Sequence, residues 1–148
     1  MATSLGLPQR ANRRVRGFSL GMTSDALLDV VPRLRAGLSY GALERFSRWI
    51  ALPLAIVARA AGIPPRTLAR RKARTRLTSA ESERLLRLAG AVESAVALFD
   101  GDCSAARHWL TRPARALANT APLDLLGSDA GVREVERLIG RLEHGVFS

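Results

Sequence analysis

Between Leu54 and Arg76 the chain reads LAIVARAAGIPPRTLARRKARTR, and no other stretch restricts the fold as strongly. An apolar run ends at Gly62, where a residue with positive φ costs little. Pro65 then suits the first turn of a second helix, because its missing N–H is one that a helix start leaves unpaired anyway. Ala58 lies four residues before Gly62 and is small enough to let the second helix lie close against the first, with Leu68 turned inward. Pro64 stands where a serine or threonine would normally cap the second helix, so this cap is not optimal. Residue usage points the same way. Ala, Leu, Arg and Glu dominate while β-branched and aromatic residues are few, a balance that favours helices over strands.

The remaining segments read as helices too. Ser24 to Arg35 forms a short candidate helix with Leu27, Leu28, Val31 and Leu34 on one side, interrupted by Pro32. Ser39 caps a helix from Tyr40 to Leu52 whose buried side is Leu43, Phe46, Trp49 and Ile50. Thr78 and Glu81 have the spacing of a capping box and open the longest helix, about Ala80 to Asp100. Its apolar positions Leu85, Ala89, Val92, Val96 and Phe99 form a stripe that carries the core from the front half to the back and offers a seam for a dimer. Asp100-Gly101-Asp102 is a turn, and the helix after it runs through Trp109 and Leu110 until Pro113 ends it. Arg115 to Thr120 is a loop, and Pro122 to Leu126 a single helical turn. Ser128 caps a last helix with Val132, Val135, Leu138, Ile139 and Leu142 on its buried face. No strand or repeat is evident. Met1 to Gly21 is basic, Gly-rich and without helical period, and reads as a flexible arm. The predicted organisation is all-α: an arm over 1–22, a helix-turn-helix domain over 23–79 and a helical domain over 80–148.

Charge separates the two halves. The net charge is +10, yet up to Ser79 there are 15 Lys/Arg against 3 Asp/Glu, and beyond it 8 against 10. A basic front and a near-neutral back imply two partners, nucleic acid for the first and something else for the second. Arg66, Arg70, Arg71, Lys72, Arg74 and Arg76 place six cations in eleven residues with no acid among them. Positions 66, 67, 70 and 71 share roughly one helical face. An arginine at the start of a recognition helix can fork onto guanine O6 and N7 while its neighbours grip phosphates. Arg66, Thr67 and Arg70 are therefore the base-contact candidates, and Arg71, Lys72, Arg74 and Arg76 the phosphate candidates. Charge alone equally fits a solvated basic face; the Ala58–Gly62 turn spacing is what favours DNA.

Other chemistries find no support. Cys103 is a lone cysteine and can form neither an internal disulfide nor a metal set. A cytoplasmic compartment fits. No apolar run approaches the ~18 residues of a membrane span, and the N-terminus lacks the apolar core of a signal peptide. No Gly-rich phosphate loop, HExxH or GxSxG occurs, and His144 has no Asp or Cys partner at triad or metal spacing. The chain reads as a non-enzyme without cofactor or metal. Trp49 and Trp109 are by default core anchors, with a partner-facing role as the other reading of Trp109.

The stretches IPPRTLARRKARTRLTSAESERLLRLAGAVESAVALF and AARHWLTRPARALANTAPLDLLGSDAGVREVERLIGRLEHGVFS together resemble the Xre/MbcA/ParS-type antitoxins, the partners of RES-domain toxins. Five pieces in order carry the resemblance. They are Arg66-Thr67-Leu68 with Arg70-Arg71, Glu81-Ser82 with Arg84-Leu85-Leu86, Trp109-Leu110 with Pro113, Pro122 to Leu126, and the ending Glu143 to Ser148. The likeness covers Leu38 to Ser148. It implies a bacterial type II antitoxin, all-helical and usually dimeric. The front domain would bind the operator of its own operon as an autorepressor. The back domain would bind a RES toxin that consumes NAD⁺. In such proteins the C-terminal segment blocks the toxin's NAD⁺ pocket, which carries over to Arg141, Leu142, Glu143, His144, Gly145, Val146, Phe147 and Ser148, with Trp109 on the toxin-facing surface. The chain departs from the family pattern at Pro64, at Phe147, where a tyrosine is expected, and at Asn119, where a glycine would fit. A helix-turn-helix regulator without a toxin partner and a basic RNA-associated protein are the competing readings. The first has no need of His144 to Ser148; the second is opposed by the acidic back half.

Overall fold

The computed structural model describes residues 15–145. Among them the helices are α1 (Leu27–Ala36), α2 (Tyr40–Ile50), α3 (Leu54–Ala60), α4 (Pro65–Arg74), α5 (Ser79–Leu98), α6 (Cys103–Leu110), α7 (Pro122–Leu125) and α8 (Asp129–Glu143), with single 3₁₀ turns at Phe18–Leu20 and Arg115–Leu117. The caps behave as local chemistry dictates. Ser39, Thr78, Asp102 and Ser128 each accept a backbone N–H of the first turn they open, and Thr78 with Glu81 completes the capping box.

Helix α5 is the axis of the molecule. It packs against α8, α6, α1 and the first 3₁₀ turn. Its stripe Leu85, Ala89, Val92 and Val96 is buried, but so are Ser82, Leu88, Ala91 and Ala95 on its other sides. Small residues let neighbours approach from every direction, while Leu85 and Leu88, both fully buried, contribute about 1.5–3 kcal/mol each. The apolar stripe expected to extend into a dimer seam is thus consumed inside the chain; only Phe99 at its end is half-exposed. Front and back share one continuous core, from Leu43 and Phe46 of α2 through α5 to Leu110, Val135 and Ile139.

The helix-turn-helix unit is closed at its base. The segments before α2 and after α4 pair as two short extended pieces, Tyr40 N–H donating to the Thr75 carbonyl and Leu77 N–H to the Leu38 carbonyl, both at 2.9 Å. Gly37 makes this approach possible. Its φ is +86°, and a Cβ there would lie 2.1 Å from the Leu77 carbonyl oxygen.

Two expectations need correction. The reading of 1–22 as a loose arm fails from Val15 onward. Gly17 N–H and Ser19 N–H donate to the Glu93 carboxylate of α5 at 2.9 and 3.0 Å, Leu20 and Met22 are buried, and Phe18 stands edge-on against Trp49 at 5.3 Å. Apolar residues spaced too closely for a helical period still dock through a 3₁₀ turn. Second, α1 begins only at Leu27, and Leu27 and Leu28 are 72% and 88% exposed rather than buried; Val30, Val31 and Leu34 form its half-buried side. Further along, Ala118 and Asn119 both adopt left-handed conformations, φ 54° and 60°. A glycine would take this shape readily, and asparagine tolerates it better than most residues.

Candidate nucleic-acid and partner interfaces

Helix α4 stands on the surface with no fully buried residue. Arg66, Arg70, Lys72 and Arg74 are exposed, and among the described residues none of them pairs with a carboxylate. Thr67 is half-buried and accepts from the Arg70 guanidinium at 3.4 Å. Pro64 occupies the N-cap position and supplies no side-chain bond, as its residue type requires. At the other end Thr75, φ 60°, terminates the helix with its N–H on the Lys72 carbonyl.

Two cations expected to face phosphate have other partners. Arg71 turns toward α5, its Nε 2.7 Å from Glu81 Oε1, with side chains only 15% and 6% exposed. That pairing removes Arg71 from the outward face and makes it a strut between α4 and α5. Arg76 remains exposed, but its Nη1 donates to the carbonyls of Ala36 and Gly37 at 3.2 and 2.9 Å.

The first two turns of α5 grip the unit at three points. Glu81 holds Arg71 of α4. Ser82 Oγ accepts from Leu38 N–H at 2.8 Å and donates to the Thr78 carbonyl at 2.7 Å. Arg84 Nε donates to the Ala61 carbonyl at 2.9 Å, satisfying a group left open where α3 ends at the Gly62 turn. Glu81 sits in a balance of opposing effects. Burial pushes its carboxyl up, but the bonds from Arg71 and Thr78 outweigh this and hold it below its usual value. Only the capping role of Glu81 was legible beforehand. Arg84 carried no such signal, because the carbonyl it meets lies 23 residues back in the chain.

In the back half Trp109 is half-buried and packs beside Phe99, ring centres 6.3 Å apart. Together with Ala105 and Pro113 they floor an apolar groove of about 610 Å³, edged by Asp102, His108 and Arg112. Both tryptophans pack on the rim of the core, half-buried. Trp49 is covered by Phe18 and Phe46. Arg107 of α6 donates to the Ile50 carbonyl at 3.1 Å, closing the end of α2 from the back half. On α8, Leu142 is half-buried while Arg141, Glu143, His144 and Gly145 are exposed; Val146, Phe147 and Ser148 lie outside the described residues. Among the described residues no group of three or more His, Cys, Asp or Glu is placed to hold a metal ion, and no helix is long and apolar enough to cross a membrane.

Comparison with known proteins matches this arrangement. The family profile of the antitoxin Xre-like helix-turn-helix domain covers residues 29–90. That of the antitoxin Xre/MbcA/ParS C-terminal toxin-binding domain covers 94–145. The two meet within α5. The chain is 38% identical over 130 residues to antitoxin Xre of Yersinia enterocolitica, covering 87% of this chain and 88% of that protein. Antitoxin Xre of Photorhabdus laumondii subsp. laumondii is 34% identical over 116 residues, 78% of each. Antitoxin Xre of Pseudomonas putida is 34% identical over 84 residues, 56% of this chain and 52% of that one. With a helix-turn-helix unit clamped on α5 and a helical toxin-binding domain built onto the same helix, the chain belongs to the Xre/MbcA/ParS family of antitoxins.

Proposed function

We propose that the protein neutralises an NAD⁺-consuming RES-domain toxin and represses its own operon by binding operator DNA, as a homodimer in the cytoplasm. The observation that carries the DNA half is α4: exposed cations unmatched by acids, on a helix braced from behind by Glu81 and by Arg84 at the turn. Rigid support matters because base reading needs side chains held to fractions of an ångström. Arg66, Thr67 and Arg70 read base edges; Lys72, Arg74 and Arg76 neutralise phosphates. Arg71 acts by positioning α4.

For the toxin half, the groove beside Trp109 lies within the toxin-binding domain. An aromatic floor with a polar edge suits a buried anchor of a partner protein. The segment Arg141 to Ser148 then occupies the toxin's NAD⁺ pocket.

The test is co-expression of the tagged chain with the protein encoded beside it, followed by titration of the purified complex with the operon's promoter fragment. Retention of a RES-domain partner and salt-sensitive binding of the fragment support both halves. A chain that binds the promoter but no neighbour-encoded protein would be a plain transcriptional regulator.

A further inference from the structure

A cleft of about 550 Å³ lies between the end of α1, one side of α2 and Arg76. Arg33, Arg45, Arg48 and Arg76 line it against one acid, Glu44. All four arginines are exposed. Among the described residues Arg33, Arg45 and Arg48 have no carboxylate partner. Arg76 is held in place by the Ala36 and Gly37 carbonyls, and four guanidinium groups around one cleft suit an anionic ligand.

The cleft adjoins the end of the recognition helix. Tyr40 N–H is bonded to the Thr75 carbonyl, and Ser39 is bridged to Arg76. Arg76, two residues beyond the end of α4, therefore lines the cleft and joins it to the basic segment. Small-molecule sites enclose their ligand and converge a few buried polar groups on it; here the charged groups stand in solvent along an open surface, as in a backbone-tracking groove. We propose that this cleft is a second DNA-backbone site, taking phosphates of the duplex that flanks the bases read by α4. The proposal rests on the DNA reading given above and extends the footprint beyond α4.

The test uses the full chain, a labelled promoter duplex extending a helical turn beyond the site at each end, and a trimmed duplex ending at the site. Arg33→Gln/Arg48→Gln removes two exposed cations without touching α4. Losing two phosphate contacts lowers the slope of log affinity against log salt by about 1.8 and weakens binding roughly 60-fold at about 0.1 M salt. This loss is expected on the long duplex only, with Arg33→Lys/Arg48→Lys restoring most of it. Arg70→Gln/Arg74→Gln is expected to weaken binding to both duplexes. If that control loses binding while the cleft variant matches the wild type on the long duplex, the cleft proposal is overturned and the DNA reading stands. If the wild-type chain binds neither duplex, the DNA reading falls and the cleft goes with it. A cleft variant that binds DNA normally but releases the neighbour-encoded protein overturns the proposal in favour of an acidic protein surface.

Discussion

Replacing Glu81 with alanine removes a single carboxylate that serves two structures at once. It accepts Thr78 N–H at 2.9 Å to complete the cap of α5, and it pairs with Arg71 Nε at 2.7 Å to hold α4. Loss of the cap costs about 1 kcal/mol. Leaving one member of a buried ion pair alone costs about 3–5 kcal/mol when the survivor cannot escape. Arg71 is 15% exposed and can swing partly into solvent, so about 2 kcal/mol is the better figure for this part. The total is about 3 kcal/mol, or about 10 °C in Tm for a chain of this size. Glu81→Gln keeps an acceptor of the same shape and forfeits mainly the charge, about 1–2 kcal/mol. The pH dependence has a definite sign. Because the carboxyl is held below its usual value, its stabilising contribution is complete above the ordinary carboxylate range and is lost as pH falls through the folded-state value. The Tm gap between wild type and Glu81→Gln should therefore be full at neutral pH and close in acid. Calorimetry at several pH values measures both effects. An unchanged Tm for Glu81→Ala, or a Glu81→Gln gap that stays constant into acid, would refute the strut between α4 and α5.

Three further outcomes are expected. Gly37→Ala should cost at least about 2 kcal/mol, since φ +86° is strained for any side chain and the new methyl would meet the Leu77 carbonyl; urea unfolding at wild-type stability would contradict the closed base of the helix-turn-helix unit. Leu110→Ala, at a fully buried position, should cost about 2–5 kcal/mol by the same assay, and a loss under about 0.5 kcal/mol would mean that α6 is not part of the shared core. Arg66→Ala should relax sequence preference by about 1–3 kcal/mol, while Arg74→Ala weakens all sequences alike and lowers the salt slope by about 1; equal, sequence-independent losses from both would remove Arg66 from base reading.

What could be read from the residues beforehand was local. Ser39, Thr78 with Glu81, and Ser128 announce helix starts through bonds that close within three residues. Gly62 and Pro65 mark the turn through their own backbones, the first with a positive φ and the second with a helix start that needs no N–H. What escaped was tertiary. The stripe on α5 gave one buried face, but alanines and a glycine on its other sides carry no periodic signal, so burial all round was invisible. Arg71 looked like its neighbours because charge along a helix does not reveal which side chain meets an acid ten residues on. Leu27 and Leu28 looked like core because hydrophobicity marks what can be buried, and among the described residues no element covers them. Arg84 and Arg107 satisfy carbonyls more than twenty residues away, contacts set by topology rather than by spacing. The site was legible as a basic helix; its bracing and the arginine cleft beside it were not.

The proposed function requires that the C-terminal segment silence an NAD⁺-consuming partner. The most direct measurement is cellular NAD⁺ in bacteria expressing the neighbour-encoded protein with either the full chain or a chain cut after Glu143. The full chain is expected to keep NAD⁺ at the level of cells without the partner, and the shortened chain to let it fall. NAD⁺ loss in the presence of the full chain, or equal protection by the shortened one, would contradict this requirement.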